Sequence, residues 1–185
     1  MPQSTTGYHT CLDQGGATFL KQYAPFLATK DPFLSSGYYF WEHSVADAHA
    51  WGQTSRYPRG QYAICKCELT LHYLLDLDYL PHIEELRNLE QEMMDCGKIP
   101  VVLDIGPLIQ WFRDLDDDDI FPYDSVRTRQ EPPPHMRLVR PYVASQPSKL
   151  LTLNPQFIIC TFSKSASVVR SCQVIYPEHY RRQAR

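Results

Sequence analysis

The sequence predicts one domain of the α+β class, with a mostly antiparallel central sheet flanked by helices. Two patterns carry this prediction. Some segments are rich in aromatic and β-branched residues, and others repeat apolar residues every three or four positions. The chain has 185 residues, of which 43% are hydrophobic. This length fits a single domain with a sizeable core, and no internal repeat or second domain is visible.

The N-terminal part of the chain predicts two strands, each followed by a helix. The first strand spans 8–12 and precedes the break at Gly15 and Gly16, after which a helix runs over 17–23. The second strand spans 38–41. Ser44 is a suitable N-cap for a helix that runs through Trp51 to Gly52, because its hydroxyl can accept a backbone N–H of the first turn.

The remaining elements follow from periodicity. Alternating apolar residues predict one half-buried strand over 61–76, with Cys65, Cys67, Leu69 and Leu71 on the core side. Helical spacing predicts helices that contain Ile83–Met93 and Leu108–Leu115. Further strands are predicted over 123–129, 156–162 and 168–176. The proline-rich region at about 130–150 is expected to be an irregular insertion.

Composition bounds the location and partners of the protein. The net charge of −3 argues against a broad electrostatic grip on nucleic acid. No apolar run reaches the roughly 18 residues of a membrane span, so no membrane partner is expected. The N-terminus lacks the basic and apolar regions of a signal peptide. We therefore expect a cytoplasmic protein, or one exported without a cleaved signal peptide.

Cysteine and aspartate spacing predicts no metal site. The six cysteines include no CxxC pair and no zinc-type cluster with histidine, so they are expected to be buried free thiols, with disulfides or metal ligation as the alternatives. The run Asp116–Asp119 offers ligands for a hard cation. Consecutive residues do not converge on one ion in a helix or strand, so an exposed loop is the favoured interpretation.

The most informative residues lie in two short segments, Tyr8-His9-Thr10 and Gly37-Tyr38-Tyr39-Phe40. The histidine can bond a ribose hydroxyl, and a tyrosine ring can stack on a flat heterocycle. Glycine-rich phosphate loops of the GxGxxG and GxxxxGK[ST] types are missing. A GxSxG nucleophile elbow is missing as well. The sequence therefore favours a ligand site of another kind, built from these two strands.

The order of these elements resembles the ADP-ribosyltransferase superfamily. His9 lies on the first strand, Tyr39 on the second, and Asn154-Pro155-Gln156-Phe157 opens a late apolar strand. The closer branch is that of diphtheria toxin and poly(ADP-ribose) polymerase, whose triad is His, Tyr and usually Glu. The resemblance implies a split, mostly antiparallel sheet, with NAD as co-substrate and no metal.

The resemblance also implies roles for individual residues. His9 would orient the ribose, and the backbone of Thr10, where the family usually has Gly, would hold the nicotinamide amide. Tyr39 would stack on nicotinamide, with Trp51 as a second aromatic wall. Gln156 falls at the position of the usual catalytic glutamate. An amide can bond a hydroxyl but carries no negative charge to stabilise a developing cation.

The function implied by the resemblance is NAD-dependent mono-ADP-ribosyl transfer to a macromolecular acceptor, with protein favoured over nucleic acid. A small transferase of this type fits a toxin or effector. A protein of that kind can have a partner protein that neutralises it. The alternative is a non-catalytic domain of the same fold that binds NAD, ADP-ribose or a protein partner. Thr10 and Gln156 favour this alternative.

Overall fold

In the described part of the chain, the main sheet has seven strands and five helices accompany it. The computed structural model describes residues 2–30, 32–54, 56–58, 60–115, 117–131, 137–141 and 150–182. The strands are β1 (Gln3–Leu12), β2 (Tyr38–Glu42), β3 (Tyr62–Leu71), β4 (Leu74–Asp76), β5 (Ser125–Gln130), β6 (Val139–Pro141), β7 (Leu150–Thr152), β8 (Gln156–Thr161) and β9 (Val169–Tyr176). The helices are α1 (Gly16–Tyr23), α2 (Val45–Gly52), α3 (Leu80–Asp95), α4 (Ile105–Asp114) and α5 (Glu178–Arg182).

The strand order in the main sheet is β4-β5-β8-β2-β1-β3-β9. All neighbouring pairs are antiparallel except β4 and β5, which are parallel. The predicted α+β class with a mostly antiparallel sheet is confirmed. The predicted N-cap is also present, since the backbone N–H of Asp47 donates to Ser44 Oγ at 3.1 Å.

The single strand predicted over 61–76 is wrong in one respect, because the chain breaks between β3 and β4. Asp124 stabilises the turn between these two strands. Its carboxylate accepts the His72 N–H at 3.2 Å, and its own backbone N–H donates to the Tyr73 carbonyl at 2.9 Å. The chain thereby leaves the β1 side of the sheet and pairs with β5 at the far edge. Local alternation continues through the turn, so the sequence pattern does not reveal it.

The predicted insertion contains regular structure that the proline content does not suggest. Strands β6 and β7 pair with each other as a small antiparallel ribbon, separate from the main sheet. Within the region expected to be irregular, residues 139–141 instead form a strand, and its partner strand β7 begins where that region ends, at Leu150. Residues 132–136 and 142–149 of the insertion lie outside the described residues.

The sheet opens at its centre, between β1 and β2. Strand β1 pairs with β3 over its full length, from Gln3 to Leu12. It pairs with β2 only through Gly7 opposite Glu42 and Tyr8 opposite Trp41. The two central strands therefore diverge beyond Tyr8 and leave a gap in the middle of the sheet.

A buried polar network closes the other end of this strand pair. Glu42 is 7% exposed. Its carboxylate accepts the Thr5 hydroxyl at 3.0 Å and Arg127 Nε at 2.7 Å, and Arg127 also bonds Asp76 at 3.0 Å. A buried carboxylate is costly unless its charge is paired and its lone pairs are satisfied, and both conditions hold here. The network joins β1, β2, β4 and β5 where the sheet is continuous.

Three apolar clusters cover the sheet. Helices α3 and α4 pack one cluster against the half that contains β5 and β8, around Ile109, Phe112 and Val126. Helix α1 contributes Leu20 to a second cluster, around Phe40 and Ile159. Helix α2 packs Ala48 against β3 in a third cluster, and Trp41 contacts both the first and the third. Trp41 thus joins the helix layers near the opening between β1 and β2.

The thiols and carboxylates are placed largely as expected. Among the described residues, the buried cysteines are Cys11, Cys65, Cys67 and Cys160, but Cys172 is half-buried and Cys96 is exposed. The prediction of a buried thiol is wrong at Cys96, which follows the C-terminus of α3. Asp117–Asp119 form an exposed turn, and Asp116 lies outside the described residues. In the described part of the chain, no group of three or more potential ligands is placed to hold a metal ion.

In the described ranges, every helix is too short or too polar to cross a bilayer.

Phe40 provides a test of this core. Phe40 is 1% exposed on the central strand, whereas Phe33 is 53% exposed. We expect Phe40→Ala to lower the free energy of unfolding by about 3–5 kcal/mol, because a buried aromatic ring leaves a cavity. The matched change Phe33→Ala should stay within about 0.5 kcal/mol of wild type. Urea denaturation with an unchanged m-value measures both, and equal losses would contradict the assigned core.

Candidate functional site

The gap between β1 and β2 is the mouth of a cleft of about 580 Å³. This volume lies in the range of small-molecule sites, roughly 300–1,000 Å³. The cleft is lined mainly by aromatic and aliphatic side chains from the diverging strands, the loop before β2 and the end of α2. The lining residues used below are His9, Thr10, Cys11, Phe26, Lys30, Phe33, Tyr39, Trp41, Trp51, Arg56, Tyr57, Gln130 and Ile158.

His9 bridges the two diverging strands. It is 5% exposed, and its Nδ1 lies 2.9 Å from the Tyr39 carbonyl oxygen. Its Nε2 accepts the backbone N–H of Phe26 at 3.1 Å. Because Nδ1 faces an acceptor and Nε2 faces a donor, the bonds define the neutral tautomer with the proton on Nδ1. Both ring nitrogens of the predicted ribose-binding histidine are thus bonded to the protein backbone.

The backbone of Thr10 faces the cleft. The Thr6 carbonyl points toward β2, where it accepts the His43 N–H at 3.0 Å. Because backbone groups two residues apart in a strand point the same way, the backbone groups of Tyr8 and Thr10 point to this side as well. The Thr10 carbonyl follows this pattern and accepts the Tyr57 hydroxyl at 3.2 Å. The Thr10 side chain points to α2 instead, where its hydroxyl donates to the Ala48 carbonyl at 2.9 Å.

Tyr39 is locked by its hydroxyl group. The oxygen accepts the backbone N–H groups of Leu34 at 2.8 Å and Ser35 at 3.2 Å, and the hydroxyl donates to the Ser35 carbonyl at 2.7 Å. Burial raises the pKa of Tyr39, so the hydroxyl keeps its proton at neutral pH. These bonds fix the ring at the cleft wall before any ligand arrives, which lowers the entropic cost of stacking.

The segments 25–30 and 32–36, here together called the cleft loop, form the outer wall. Backbone bonds between Ala28 and Gly37 close its base, at 2.9 and 3.2 Å. Ser35 is fully buried with φ of 143°, a conformation that strains a residue with a side chain. The loop structure must therefore be held by its surroundings.

Helix α4 supplies this support from below the cleft loop. Gln110 Oε1 accepts the Ser35 hydroxyl at 2.9 Å and the Ser36 N–H at 3.0 Å. Arg113 donates to Ser35 Oγ at 2.6 Å and to the Ser36 carbonyl, and its guanidinium lies 3.9 Å from the centre of the Phe162 ring. Helix α4 is thus a structural part of the site although it contributes no lining residue named above.

The opposite wall is formed by two tryptophans. The rings of Trp41 and Trp51 lie 6.1 Å apart, and Arg56 lies 5.0 Å from the centre of the Trp51 ring. Arg56 and Lys30 both line the cleft. Among the described lining residues there is no aspartate or glutamate. The cleft therefore suits an aromatic ligand that also carries negative charge.

Gln156 lies beside the cleft rather than on its lining. It is 7% exposed, and its amide nitrogen donates to the Asp47 carboxylate at 2.7 Å. It pairs across the sheet with Gln130, which lines the cleft, and precedes by two residues the lining residue Ile158. The Gln156–Asp47 pair therefore places a carboxylate next to the cleft, in the first turn of α2.

The structure brings four of the predicted residues, His9, Thr10, Tyr39 and Trp51, to one cleft, with Gln156 adjacent to it. The same cleft is also lined by residues that sequence patterns did not predict, namely Phe26, Lys30, Trp41, Arg56 and Tyr57. Most of these lie on loops, where periodicity carries no signal. Sequence patterns also did not predict Asp47, Gln110 and Arg113, whose roles depend on contacts between distant segments.

Comparison of the chain with protein-family models, with curated proteins and with solved structures gives no match.

The hydroxyl of Tyr39 provides a test of how the cleft wall is held. We expect Tyr39→Phe to lower the free energy of unfolding by about 1–3 kcal/mol, because two backbone N–H groups lose their acceptor. Backbone amides of residues 33–36 should also exchange hydrogen faster. Hydrogen-exchange mass spectrometry measures the second effect and locates it in the chain.

The matched control is Tyr38→Phe, at the neighbouring position on the opposite face of β2. Within the described part of the chain, the Tyr38 hydroxyl has no hydrogen bond, and Lys164 lies 5.8 Å from the ring centre. This variant should match wild type in stability and exchange. Unchanged exchange of the cleft loop in Tyr39→Phe would contradict the assigned role of the hydroxyl.

Proposed function

We propose that the cleft binds NAD and that the protein transfers a single ADP-ribose from NAD to a macromolecular acceptor. The observation that carries the proposal is the convergence of His9, Thr10, Tyr39 and Trp51 on one cleft. Their sequence positions suggested these roles by resemblance alone, and they come from three separate elements, β1, β2 and α2.

The nicotinamide ring would stack on Tyr39. A fixed aromatic face suits a flat heterocycle, and offset stacking adds to the area that is buried. The carboxamide of nicotinamide would bond the backbone of Thr10, which faces the cleft. The diphosphate would lie near Lys30 and Arg56, the cationic lining residues.

The reaction breaks the bond between nicotinamide and ribose. The bonding electrons leave with nicotinamide, positive charge develops on the ribose, and an acceptor group attacks the ribose carbon and loses a proton. The products are nicotinamide, the ADP-ribosylated acceptor and that proton. A negative charge near the ribose would stabilise the transition state. Gln156 has none, so we assign this charge to Asp47, to which Gln156 is bonded.

His9 has a different role in this proposal from the one that the resemblance implies. A ribose hydroxyl can reach Nε2 only if the N–H of Phe26 gives it up. We assign His9 chiefly to holding β1 and the cleft loop in place. Ligand entry would then be coupled to movement of the loop around Phe26.

The second candidate is a non-catalytic domain that binds NAD or ADP-ribose. The specific observation in its favour is the absence of a carboxylate among the described lining residues. A glycosidic bond is cleaved slowly without charge stabilisation, so such a cleft would retain its ligand intact. Asp47 therefore separates the two candidates.

Tryptophan fluorescence provides a test of binding. The chain has three tryptophans, and Trp41 and Trp51 line the cleft. In a Trp111→Phe background, we expect saturable quenching by NAD. Adding Trp51→Leu should weaken binding by about 1–3 kcal/mol, the usual value of one stacked base. The control Tyr73→Leu, at a side chain 64% exposed and outside the cleft, should bind as before. Absence of saturable binding would contradict both candidate functions.

Turnover is tested by release of nicotinamide, which does not require the acceptor to be known, and by labelling of a lysate with tagged NAD. We expect Asp47→Asn to slow release about a hundredfold while NAD affinity is kept, since lost charge stabilisation costs this much in other enzymes. Asp118→Asn, in the exposed turn after α4, is the matched control.

The outcomes separate the candidates. Release and labelling that depend on Asp47 support the transferase. Tight NAD binding with neither release nor labelling supports the binding domain. Turnover that is equal in wild type and Asp47→Asn would overturn the role assigned to Asp47.

A further inference from the structure

A chain of thiols lies on the face of the sheet opposite α2, across β1, β3 and β9. Cys11, Cys65 and Cys67 lie in one apolar cluster, Cys172 packs against that cluster, and Cys67 Sγ contacts Cys172 Sγ. Cys11 lines the cleft, and Cys172 lies half-buried on the edge strand β9. The function proposed above uses none of these thiols.

Cys67 and Cys172 are direct partners across the sheet. Their register continues without a shift on either side, with Lys66 opposite Gln173 and Glu68 opposite Ser171. Residues directly opposite in antiparallel strands have Cα atoms roughly 4.5–5.5 Å apart. This spacing falls inside the range of roughly 4.4–6.8 Å that disulfides require. The backbone would therefore need little movement to accept a disulfide here.

The two sulfur atoms are already close. Cys67 Sγ and Cys172 Sγ lie 2.8 Å apart. Non-bonded heavy atoms normally stay roughly 3.5–4.0 Å apart, so this contact is closer than ordinary packing. Of the described cysteines, these two therefore combine direct register with sulfur contact.

We propose that Cys67 and Cys172 form a cross-strand disulfide when the protein meets a peroxide oxidant. Cys172 reacts first because it is half-buried on the edge strand β9, whereas Cys67 is fully buried on the neighbouring inner strand β3. The neighbouring thiols of Cys65 and Cys67 lower the pKa of Cys172, which favours its reactive thiolate.

The chemistry balances with hydrogen peroxide as oxidant. The Cys172 thiolate attacks one peroxide oxygen, the O–O bond breaks, and hydroxide leaves and takes up a proton as water. The resulting sulfenic acid is attacked by Cys67 Sγ, which loses its proton. The S–O bond breaks and a second water leaves. Two thiols and one peroxide thus give one disulfide and two waters.

The product would tie the edge strand β9 to β3. Strand β3 pairs along its length with β1, which carries His9 and Cys11. The disulfide would therefore reinforce the half of the sheet on which the cleft is built. This inference stands independently of the proposed function, because it rests on the pairing of β3 with β9.

The test uses the whole chain in a Cys96→Ser background, which removes the exposed thiol that would link two molecules. After treatment with hydrogen peroxide, we expect the intact mass to fall by two hydrogen atoms. Peptide mapping should recover one crosslinked species that joins residue 67 to residue 172. Dithiothreitol should restore the starting mass.

Adding Cys172→Ser should abolish the crosslink, and adding Cys160→Ala, at a buried thiol in another cluster, should leave it intact. A crosslink between any other pair of cysteines would overturn the proposal. Oxidation of Cys172 to sulfinic acid without a crosslink, or no reaction at the pair, would overturn it as well.

Discussion

The cleft depends on a single bridging side chain, His9. Strands β1 and β2 pair at two positions and then separate, so the backbone groups beyond Tyr8 have no continuous ladder to hold them. His9 joins the strands across this opening by bonding the Tyr39 carbonyl, and it bonds the cleft loop through the Phe26 N–H. These two bonds also determine its tautomer. Burial opposes the charged imidazolium, while the neighbouring Cys11 and the Tyr39 carbonyl raise the pKa of His9 above its usual value overall. The neutral tautomer rests on the hydrogen-bond geometry, because protonation of Nε2 would put it face to face with the Phe26 N–H donor. The His9 ring thus links β1 to β2 and to the cleft loop at the point where the two strands separate.

Two polar networks hold the cleft wall in place. At the closed end of the strand pair, Glu42 and Arg127 secure the junction of β1 and β2 to the rest of the sheet. Beside the cleft, Tyr39 and Arg113 hold the strained backbone of Ser35. Strain of this kind persists only where the surroundings determine the conformation. The consequence is a fixed aromatic face on one side of the opening, with the cleft loop bonded to His9 through the Phe26 N–H on the other.

Much of the fold could be predicted from local pattern, because strands and helices leave a periodic signature in sequence. Ser44 as N-cap of α2 and the core face of β3 through Cys65 and Leu69 follow from such signatures. The site was predicted less completely. His9 and Tyr39 were recognisable by order along the chain, but the partners of His9 depend on how far two strands diverge. Asp47 contacts Gln156, which is 109 positions away in the sequence, and Arg113 contacts Ser35, which is 78 positions away. No local sequence pattern encodes such contacts.

The proposed function requires NAD to occupy the opening between β1 and β2. A crystal structure of the chain grown with saturating NAD would show whether it does. We expect nicotinamide on the Tyr39 ring with its amide at the Thr10 backbone, and the diphosphate toward Lys30 and Arg56. A structure in which NAD lies elsewhere, or in which the cleft holds no ligand at saturation, would contradict it.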